Sequence, residues 1–449
     1  MALTFRGGAH PPIHKHTAGQ SIVPLPAPAV VSVPLSQHIG KHCTPLVAVG
    51  DPVKKGQKIG EVEGLGAPVH ASVSGKVIDI RCRRLASGRN VDEIVIENDG
   101  LDTLADTVKP VEKSISELTI DDVIAFVREA GITGMGGAAF PTYAKIESAR
   151  GKARHLVVNC AECEPYITAD HRTLLETPED VVRGMKILLA ALGIPRGILA
   201  IEDNKRDAAE QIDTLYHDDD SVEIRLLKTK YPQGDERQLI YALSGIELPT
   251  GKLPADVGFV IFNAETCAAV YHAYIDGMPA ISRVVTVAGD CIGEPKNLLV
   301  PIGTSYRDLI DFCGGLIKSP RKIICGGPMM GRSVWDLDSP VAKGTSALLC
   351  LSGAEDPSYR KNAVCIRCGR CVAGCPMHLM PSYLAQFSKK KDDASCEKFD
   401  VFSCVECGTC TFLCPGNVPI VQYIRVAKER ILDTRRASQE AKQAARKNS

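Results

Sequence analysis

The sequence predicts a multidomain protein that combines α/β and α+β domains with a β-rich N-terminal domain and a cysteine-rich helical domain. Three observations predict this class. The first hundred residues are rich in proline, glycine and valine, which favours short strands and turns. Helical and strand patterns then alternate, and two runs of closely spaced cysteines follow. The predicted domains span residues 1–112, 113–281, 282–352 and 353–430, with a basic tail over 431–449.

The bulk composition narrows the possible functions. The 53 basic and 53 acidic residues leave no net charge, so no basic field indicates nucleic-acid binding. No stretch approaches the ~18 consecutive apolar residues of a membrane-spanning helix, and the N-terminus lacks the apolar core of a secretory signal. We therefore expect a cytoplasmic protein that meets a membrane through partners. In that compartment, eighteen cysteines indicate metal or redox chemistry rather than disulfides.

Residues 50–80 resemble the barrel-sandwich fold of lipoyl and biotinyl carrier domains, with paired strands and turns at regular intervals. Carrier domains present a lysine on a hairpin tip, where this sequence has Gly64-Leu65-Gly66. The domain is therefore predicted to be a scaffold rather than a swinging arm. Three histidines of the preceding polar segment lack the spacing of metal ligands and are expected to be solvated: His10, His14 and His16.

Residues 113–281 carry the pattern of a mainly parallel sheet covered by helices. Thr119 and Asp122 form a capping box ahead of an apolar helical face, and Pro178 begins a second helix that Gly193 ends. Strands are predicted over 155–159, 197–203 and 222–227, and a smaller α+β unit has strands over 283–289 and 321–327 with a helix near 305–313.

Two four-cysteine runs give the strongest chemical signal. Each has the spacing C-x2-C-x2-C-x3-C-P, in which the fourth cysteine ligates the other cluster of a two-cluster ferredoxin. Zinc sites lack the third gap and the trailing proline. The sequence therefore predicts two [4Fe–4S] clusters, one held by Cys365, Cys368, Cys371 and Cys414, and the other by Cys404, Cys407, Cys410 and Cys375.

A glycine-rich loop lies within residues 131–146 and follows a predicted helix. Gly134, Gly136 and Ala139 formally satisfy G-x-G-x-x-A, but a dinucleotide fingerprint has to follow a strand. Free backbone N–H groups ahead of Pro141 still predict a phosphate-sized site. The alternative from this stretch alone is a tight turn between two helices.

Four segments in order resemble the FMN- and NADH-binding subunit of respiratory complex I: GMGGAAFPTYAKI, NCAECEPY, YPQGDERQL and NAETCAAV. A closer resemblance spans nearly the whole chain. The motifs FRGGAHPP, PLSQHIG, VGDPVKKGQ, APVHASVSG, LPADVGFV and CGGPMMG, with the doubled cysteine runs, are similar to the C-subunit family of Rnf complexes, membrane-bound ferredoxin:NAD+ oxidoreductases. The resemblance implies a barrel-sandwich domain, a Rossmann-like FMN/NADH domain, a β-grasp domain of the SLBB type and a ferredoxin-like domain.

The resemblance also implies cofactor contacts. The FMN phosphate or the nucleotide is expected at Gly134, Gly136, Gly137 and Lys145, the adenine or flavin at Phe140, the flavin or ribityl chain at Asn159, and the nicotinamide side at Glu162 and Glu164. The opposing wall is expected at Tyr231, Gly234, Asp235 and Glu236, and a phosphate cap at Asn263 and Thr266. The chain departs from the complex I pattern at Met135, in place of an arginine, at Ala139 and Tyr143, in place of glycines, and at Ala161, in place of an aspartate.

The implied function is electron transfer. A nicotinamide exchanges two electrons as a hydride and a [4Fe–4S] cluster exchanges one, so a flavin is required between them. The resemblance implies an enzyme subunit with two [4Fe–4S] clusters, FMN and NAD(H), located peripherally on the cytoplasmic face of the cell membrane. Its implied partners are the other subunits of an ion-translocating complex, including an iron–sulfur subunit, with ferredoxin reached indirectly. No side chain is predicted to be catalytic as an acid, base or nucleophile.

Three alternative functions stay open at the level of sequence. One is a flavin- and cluster-bearing cobalamin reductase on the same scaffold, for which a leading barrel is not expected. Another is a one-electron adaptor that has lost the flavin, which the departures at Met135 and Ala161 would permit. The third is an interaction scaffold, which the intact cysteine runs argue against.

Overall fold

The N-terminal domain is a sandwich of two small antiparallel sheets. The computed structural model describes residues 2–84, 88, 90–354 and 363–447. The first strands are β1 (Ile22–Pro24), β2 (Val30–Pro34), β3 (Thr44–Pro45), β4 (Pro52–Val53), β5 (Lys58–Glu61), β6 (Val69–His70), β7 (Gly75–Arg84) and β8 (Asn90–Asn98). One sheet has the order β2-β8-β7-β4 and the other β3-β5-β6. Val31, Ile59, Val77 and Ile96 are fully buried in its core.

The second domain is an α/β layer. Its elements are α1 (Ile120–Glu129), α2 (Thr142–Ala149), β9 (His155–Cys160), α3 (Ala169–Glu176), α4 (Pro178–Leu192), β10 (Gly197–Glu202), α5 (Arg206–Tyr216), β11 (Val222–Leu227), α6 (Glu236–Ser244), β12 (Phe259–Asn263) and α7 (Ala264–Ile275). Every neighbouring pair in the order β11-β10-β9-β12 is parallel, as predicted. After β9 the chain adds β10 and β11 on one side of β9, and it then adds β12 on the other side. The carboxyl ends of β9 and β12 therefore flank a topological switch point, where ligands bind in such sheets.

The third domain is a six-stranded mixed sheet with one covering helix. Its elements are β13 (Ser282–Ala288), β14 (Lys296–Pro301), α8 (Tyr306–Phe312), β15 (Lys322–Cys325), β16 (Arg332–Ser333) and β17 (Ala347–Leu351). The order is β1-β14-β13-β17-β15-β16, so the sixth strand comes from the N-terminus. Leu309 and Ile310 of α8 pack on Val285 and Leu298 of the sheet.

The segment before the barrel ties the other domains together. Leu3 pairs with Leu227 and Ala9 with Tyr231, both in the α/β domain. The amide of Gly8 donates to the carbonyl of Gly374 (2.9 Å) in the cysteine-rich domain. Because β1 completes the six-stranded sheet, this segment makes its backbone pairs outside the barrel that follows it.

The cysteine-rich domain is built from two similar halves. Its helices are α9 (Arg370–Ala373), α10 (Pro381–Lys389), α11 (Asp393–Lys398), α12 (Thr409–Phe412) and α13 (Ile420–Lys447). Three pairs of residues, each 39 positions apart, share a left-handed backbone: Arg367 and Glu406, Gly369 and Gly408, His378 and Asn417. The predicted multidomain class is confirmed. In the described ranges, no helix is both long and apolar enough to cross a membrane.

Candidate functional site

One large cavity lies at the switch point of the parallel sheet. Its volume is about 700 Å³, within the ~300–1,000 Å³ of small-molecule sites. The wall contains all of the residues for which the sequence predicts cofactor contacts: Gly134, Gly136, Gly137, Phe140, Lys145, Asn159, Glu162, Glu164, Tyr231, Gly234, Asp235, Glu236, Asn263 and Thr266. Residues of the six-stranded sheet and of the cysteine-rich domain complete the wall. The fold thus gathers four distant segments around one space, while their individual contacts stay predictions.

The glycine loop presents free backbone donors to this cavity. The loop is closed at its base, where the Gly134 amide donates to the Phe140 carbonyl (2.8 Å). In the described part of the chain, no protein acceptor bonds the amides of Gly136, Gly137 or Ala138. Successive free N–H groups of this kind form an anion-binding concavity. The loop therefore fits the phosphate of FMN.

Two asparagines at the strand ends line the cavity, but their side chains already form hydrogen bonds within the protein. Asn159 donates to the Gly234 carbonyl (2.9 Å) and accepts from the Ala161 amide (3.1 Å). Asn263 accepts from the Thr266 amide (3.3 Å), which caps α7, and donates to the Asp170 carboxylate (2.7 Å). A ligand bond to either side chain would have to share or replace one of these.

Lys145 is held beside the glycine loop by an ion pair. Its Nζ lies 2.5 Å from the Glu236 carboxylate and 2.9 Å from the Ile261 carbonyl. A quarter of the lysine side chain is exposed. To make the predicted phosphate contact, Lys145 therefore has to bind the ligand while it keeps its ion pair with Glu236.

Glu164 accepts hydrogen bonds from a loop of the third domain, which faces it across the cavity. Its two carboxylate oxygens accept from the amides of Met329 (3.0 Å) and Met330 (2.9 Å) in the CGGPMMG loop. A Cβ on Gly327 would lie 2.2 Å from the same carboxylate, so a side chain at that position would displace Glu164. Burial raises the pKa of Glu164 to about 7. Glu164 thus fastens the loop of one domain to the wall of another.

Glu162 keeps one oxygen available. Its Oε1 accepts from the Asp170 amide (2.8 Å). Its Oε2 is buried without a hydrogen bond, and the nearest cation is the Nζ of Lys15 at 3.5 Å. A buried carboxylate oxygen without a donor is costly. This oxygen therefore fits a ligand donor in the cavity.

Sequence reasoning missed several wall residues. Asp170 lines the cavity, and burial, followed by the charges of Glu162 and Glu265, raises its pKa to about 8. Arg283 also lines the cavity although it lies in the strand RVVTVAG. A charged residue within a buried strand is the signal that could have found Arg283.

Two of the four departures from the complex I pattern, at Tyr143 and Ala139, coincide with contacts to the barrel. The hydroxyl of Tyr143 donates to the Gly64 carbonyl on the hairpin tip (3.2 Å). The carbonyl of Ala139 accepts from the Ile39 amide of the barrel (3.1 Å). The tip that would carry a lysine in a carrier domain therefore contacts α2, next to the glycine loop, and its scaffold role stays a prediction.

Four cysteines line a second, smaller cavity with mostly apolar neighbours: Cys375, Cys404, Cys407 and Cys410. They are the predicted ligands of the second cluster. Burial raises the pKa of the Cys410 thiol, and the other three thiols raise it further, as expected of sulfurs that face one space. Across the described ranges, no group of three such side chains is arranged for a single metal ion. A cubane spreads its four thiolates around four irons, so the residues fit the larger group.

The predicted ligands of the first cluster lie nearer the surface. Cys365 and Cys368 are exposed, whereas Cys371 is buried. The Val364 amide donates to the Gly416 carbonyl (3.1 Å), which brings the start of the first run beside the end of the second, next to Cys414.

The two cavities share a wall at Cys407. The hydroxyl of Tyr231, itself buried in the wall of the large cavity, donates to the Cys407 carbonyl (2.7 Å). Asp235 caps α6 nearby by accepting from the amides of Arg237 and Gln238, and burial raises its pKa to about 6. The predicted second cluster therefore lies against the predicted nucleotide site.

Comparison with known families gives four matches along the chain. They are the RnfC barrel sandwich hybrid domain over residues 3–101, the Nuo51 FMN-binding domain over 127–272, the SLBB domain over 284–333 and a 4Fe-4S dicluster domain over 364–418. These descriptions follow the order of the four structural units.

Named relatives match over nearly the full length. The chain is 44% identical to the C subunit of the Na(+)-translocating ferredoxin:NAD(+) oxidoreductase complex of Acetobacterium woodii, covering 96% of this chain and 98% of that one. It is 44% identical to the corresponding subunit of the proton-translocating complex of Clostridium ljungdahlii, covering 95% and 94%. It is 38% identical to the C subunit of the ion-translocating oxidoreductase complex of Rhodobacter capsulatus, covering 96% and 84%. A solved NAD+-reducing [NiFe]-hydrogenase shares the fold over 72% of this chain and 62% of its own, with 20% identity and a TM-score of 0.50.

Proposed function

The chain belongs to the family of C subunits of ion-translocating ferredoxin:NAD+ oxidoreductase complexes, and from this premise we propose that it passes electrons between two [4Fe–4S] clusters, FMN and NAD(H). The observation that carries the proposal is the wall at Cys407, which the cluster pocket and the large cavity share. A shared wall keeps the path between the two cofactors short. A one-electron adaptor without flavin would not need the cavity or its free amides.

The residues of the cavity bind and orient. When bound, FMN exchanges a hydride with NAD(H) and single electrons with a cluster. The amides of Gly136, Gly137 and Ala138 would hold its phosphate, and the Oε2 atom of Glu162, which has no hydrogen bond, would accept from the ligand. Tyr231 seats the Cys407 loop against the cavity. The apolar neighbours of the cluster pocket exclude water from the second cluster.

We extend the proposal to partners and location. Because those relatives are subunits of translocating complexes, we assign the chain to a peripheral place in such a complex, on the cytoplasmic face of the membrane. Its electrons would reach ferredoxin indirectly, through an iron–sulfur subunit. The exposed ligands of the first cluster, Cys365 and Cys368, support an exchange of electrons at that surface.

Anaerobic reconstitution with iron, sulfide and FMN, followed by titration with NADH, tests the proposal. We expect NADH to bleach the flavin absorbance and then reduce the clusters. In Cys407→Ser, we expect about half of the bound iron to be lost and flavin bleaching to persist without reduction of the remaining cluster. Cys396→Ser is the matched control, because Cys396 is buried in the same domain but belongs to neither run. Clusters that assemble without any flavin or NADH response would leave a one-electron adaptor.

A further inference from the structure

We propose that Arg283, paired with Glu265, is a positioning residue. It shapes the glycine loop into a phosphate-binding site and holds the loop at Lys343, which faces the glycine loop. The inference rests on the proposed FMN site and adds a residue that belongs to a different domain from the glycine loop. Arg283 is the second residue of the strand β13, and Glu265 lies in the first turn of α7.

The guanidinium of Arg283 is buried between the two domains and fully engaged. Its side chain is 1% exposed. Nη2 donates to the Glu265 carboxylate (2.8 Å) and to the Met135 carbonyl (3.3 Å). Glu265 also accepts from the Val284 amide (2.5 Å). An arginine fork can serve several acceptors in fixed directions, which a lysine ammonium cannot do.

The bond to Met135 determines where the next amide points. In a trans peptide the carbonyl and the following N–H point in opposite directions. Because the Met135 carbonyl points at the buried Arg283 guanidinium, the Gly136 amide points away from Arg283, and Gly136 itself lines the cavity. The Met135 amide is bonded as well, because it donates to the Thr266 hydroxyl (2.9 Å). Both backbone groups of Met135 are therefore bonded within the protein, and the free amides begin at the next residue.

The same guanidinium holds the opposite wall. Nη1 donates to the Lys343 carbonyl (2.5 Å) in the loop that also contributes Ala342, Gly344 and Thr345 to the cavity. A Cβ on Gly344 would lie 3.5 Å from the Gly137 carbonyl, so the two loops face each other closely. One side chain thus sets the spacing of both loops at the phosphate end.

Binding of FMN and of riboflavin, which lacks the phosphate, separates this role from a general loss of folding. The wild-type protein, reconstituted with its clusters, should bind FMN more tightly than riboflavin in a fluorescence titration. In Arg283→Lys and in Glu265→Gln, we expect the dissociation constant for FMN to rise about ten- to a hundred-fold, with riboflavin changed less than about threefold. Arg307→Met is the matched control, because the Arg307–Asp338 pair lies on the surface of the same domain.

The outcomes separate the positioning role of Arg283 from the proposed function. A parallel loss of FMN and riboflavin affinity, or no loss of either, would overturn the positioning role while leaving the proposed function intact. A wild-type protein that binds neither flavin would overturn both. The thermal midpoint and the cluster absorbance of each variant show that it is folded. Glu265→Gln retains a buried acceptor, so the test does not depend on Arg283→Lys alone.

Discussion

Three residues of the cavity wall carry buried carboxyl groups. Burial raises the pKa of Asp235 to about 6, of Glu164 to about 7 and of Asp170 to about 8. Each of these carboxyl groups accepts from an amide of the chain or from a side-chain amide. Folding therefore brings these groups into the range where they gain or lose a proton near neutral pH.

Glu164→Gln should flatten the pH dependence of stability. The folded-state pKa of Glu164 lies above its ordinary value of 4.5, so the folded protein binds more protons than the unfolded chain between about 4.5 and 7. The free energy of unfolding contributed by Glu164 is therefore present at low pH and falls as pH rises through this window. We expect the decline between pH 5 and 8 to be smaller in the variant by on the order of 2–3 kcal/mol.

Denaturant unfolding across that pH range measures the effect. The control is Glu63→Gln, because Glu63 is an exposed residue of the barrel. An unchanged slope in Glu164→Gln would contradict the burial argument.

Tyr231→Phe should loosen the second cluster without emptying the cavity. The substitution removes the hydroxyl that donates to the Cys407 carbonyl and leaves a buried acceptor unpaired, at a cost of about 1–3 kcal/mol. We expect faster loss of about half of the iron to a chelator in anaerobic assays. Tyr383→Phe is the control, since that hydroxyl lies on a half-exposed side chain. Equal rates in the two variants would show that the hydroxyl does not hold the loop.

At the level of secondary-structure elements, function depends on two kinds of short segment, the cysteine runs and the glycine loop, whose backbone conformation is determined by their own glycines. The two cysteine runs repeat the same left-handed positions, including Gly369 and Gly408, so the backbone makes the same turns in both halves. The glycine loop between α1 and α2 depends on Gly137, whose φ of 114° disfavours a side chain.

Gly137→Ala should weaken FMN binding through backbone strain alone. A Cβ at this position would meet no atom within 4 Å, so the cost is conformational and about 1 kcal/mol. Relief of that strain would turn the free amides of the loop away from the ligand. Gly151→Ala is a matched control, because Gly151 also has a positive φ and open space around it but lies in a surface turn outside the cavity. Isothermal titration with FMN should show several-fold weaker binding in the first variant and no change in the second.

At the level of the whole molecule, the site exists only where several domains meet. Lys343 marks one such junction. Its Nζ is buried and donates to the Pro68 carbonyl of the barrel (2.7 Å) and the Gly131 carbonyl at the end of α1 (2.6 Å). Burial lowers the pKa of Lys343 to about 7, and the charge of Lys343 adds to burial in lowering the pKa values of His38 and His70 nearby.

Lys343→Met should remove a stability change in the alkaline range. The folded-state pKa of Lys343 lies below its ordinary 10.5, so the unfolded chain binds more protons between about 7 and 10. The contribution of Lys343 to the free energy of unfolding therefore rises with pH through this window. We expect the wild-type minus variant difference to grow by on the order of 2 kcal/mol from pH 7 to 9.

The measurement is the thermal midpoint at a series of pH values. Lys41→Met, on an exposed residue of the barrel, should leave the pH profile unchanged. A constant difference between wild type and Lys343→Met would show that the lysine keeps its proton when buried.

The sequence by itself determined the chemistry of this protein. The cysteine runs, the glycine loop and the capping box at Thr119 are local, because backbone conformation and ligand spacing over a few residues depend on those residues alone. The fold class could be predicted from the order of such local patterns, and the family resemblance from motifs spread along the chain.

The tertiary structure alone decided how these parts meet. Arg283 and Asp170 reach the cavity from separate elements, Lys15 pairs with Glu162 of its wall, and Glu164 serves as the anchor of a facing loop. Sequence reasoning could not place them, because a buried charge is tolerated only where packing supplies its partner, and that partner is distant in the chain. The shared wall at Cys407 arises in the same way, from the docking of one domain on another.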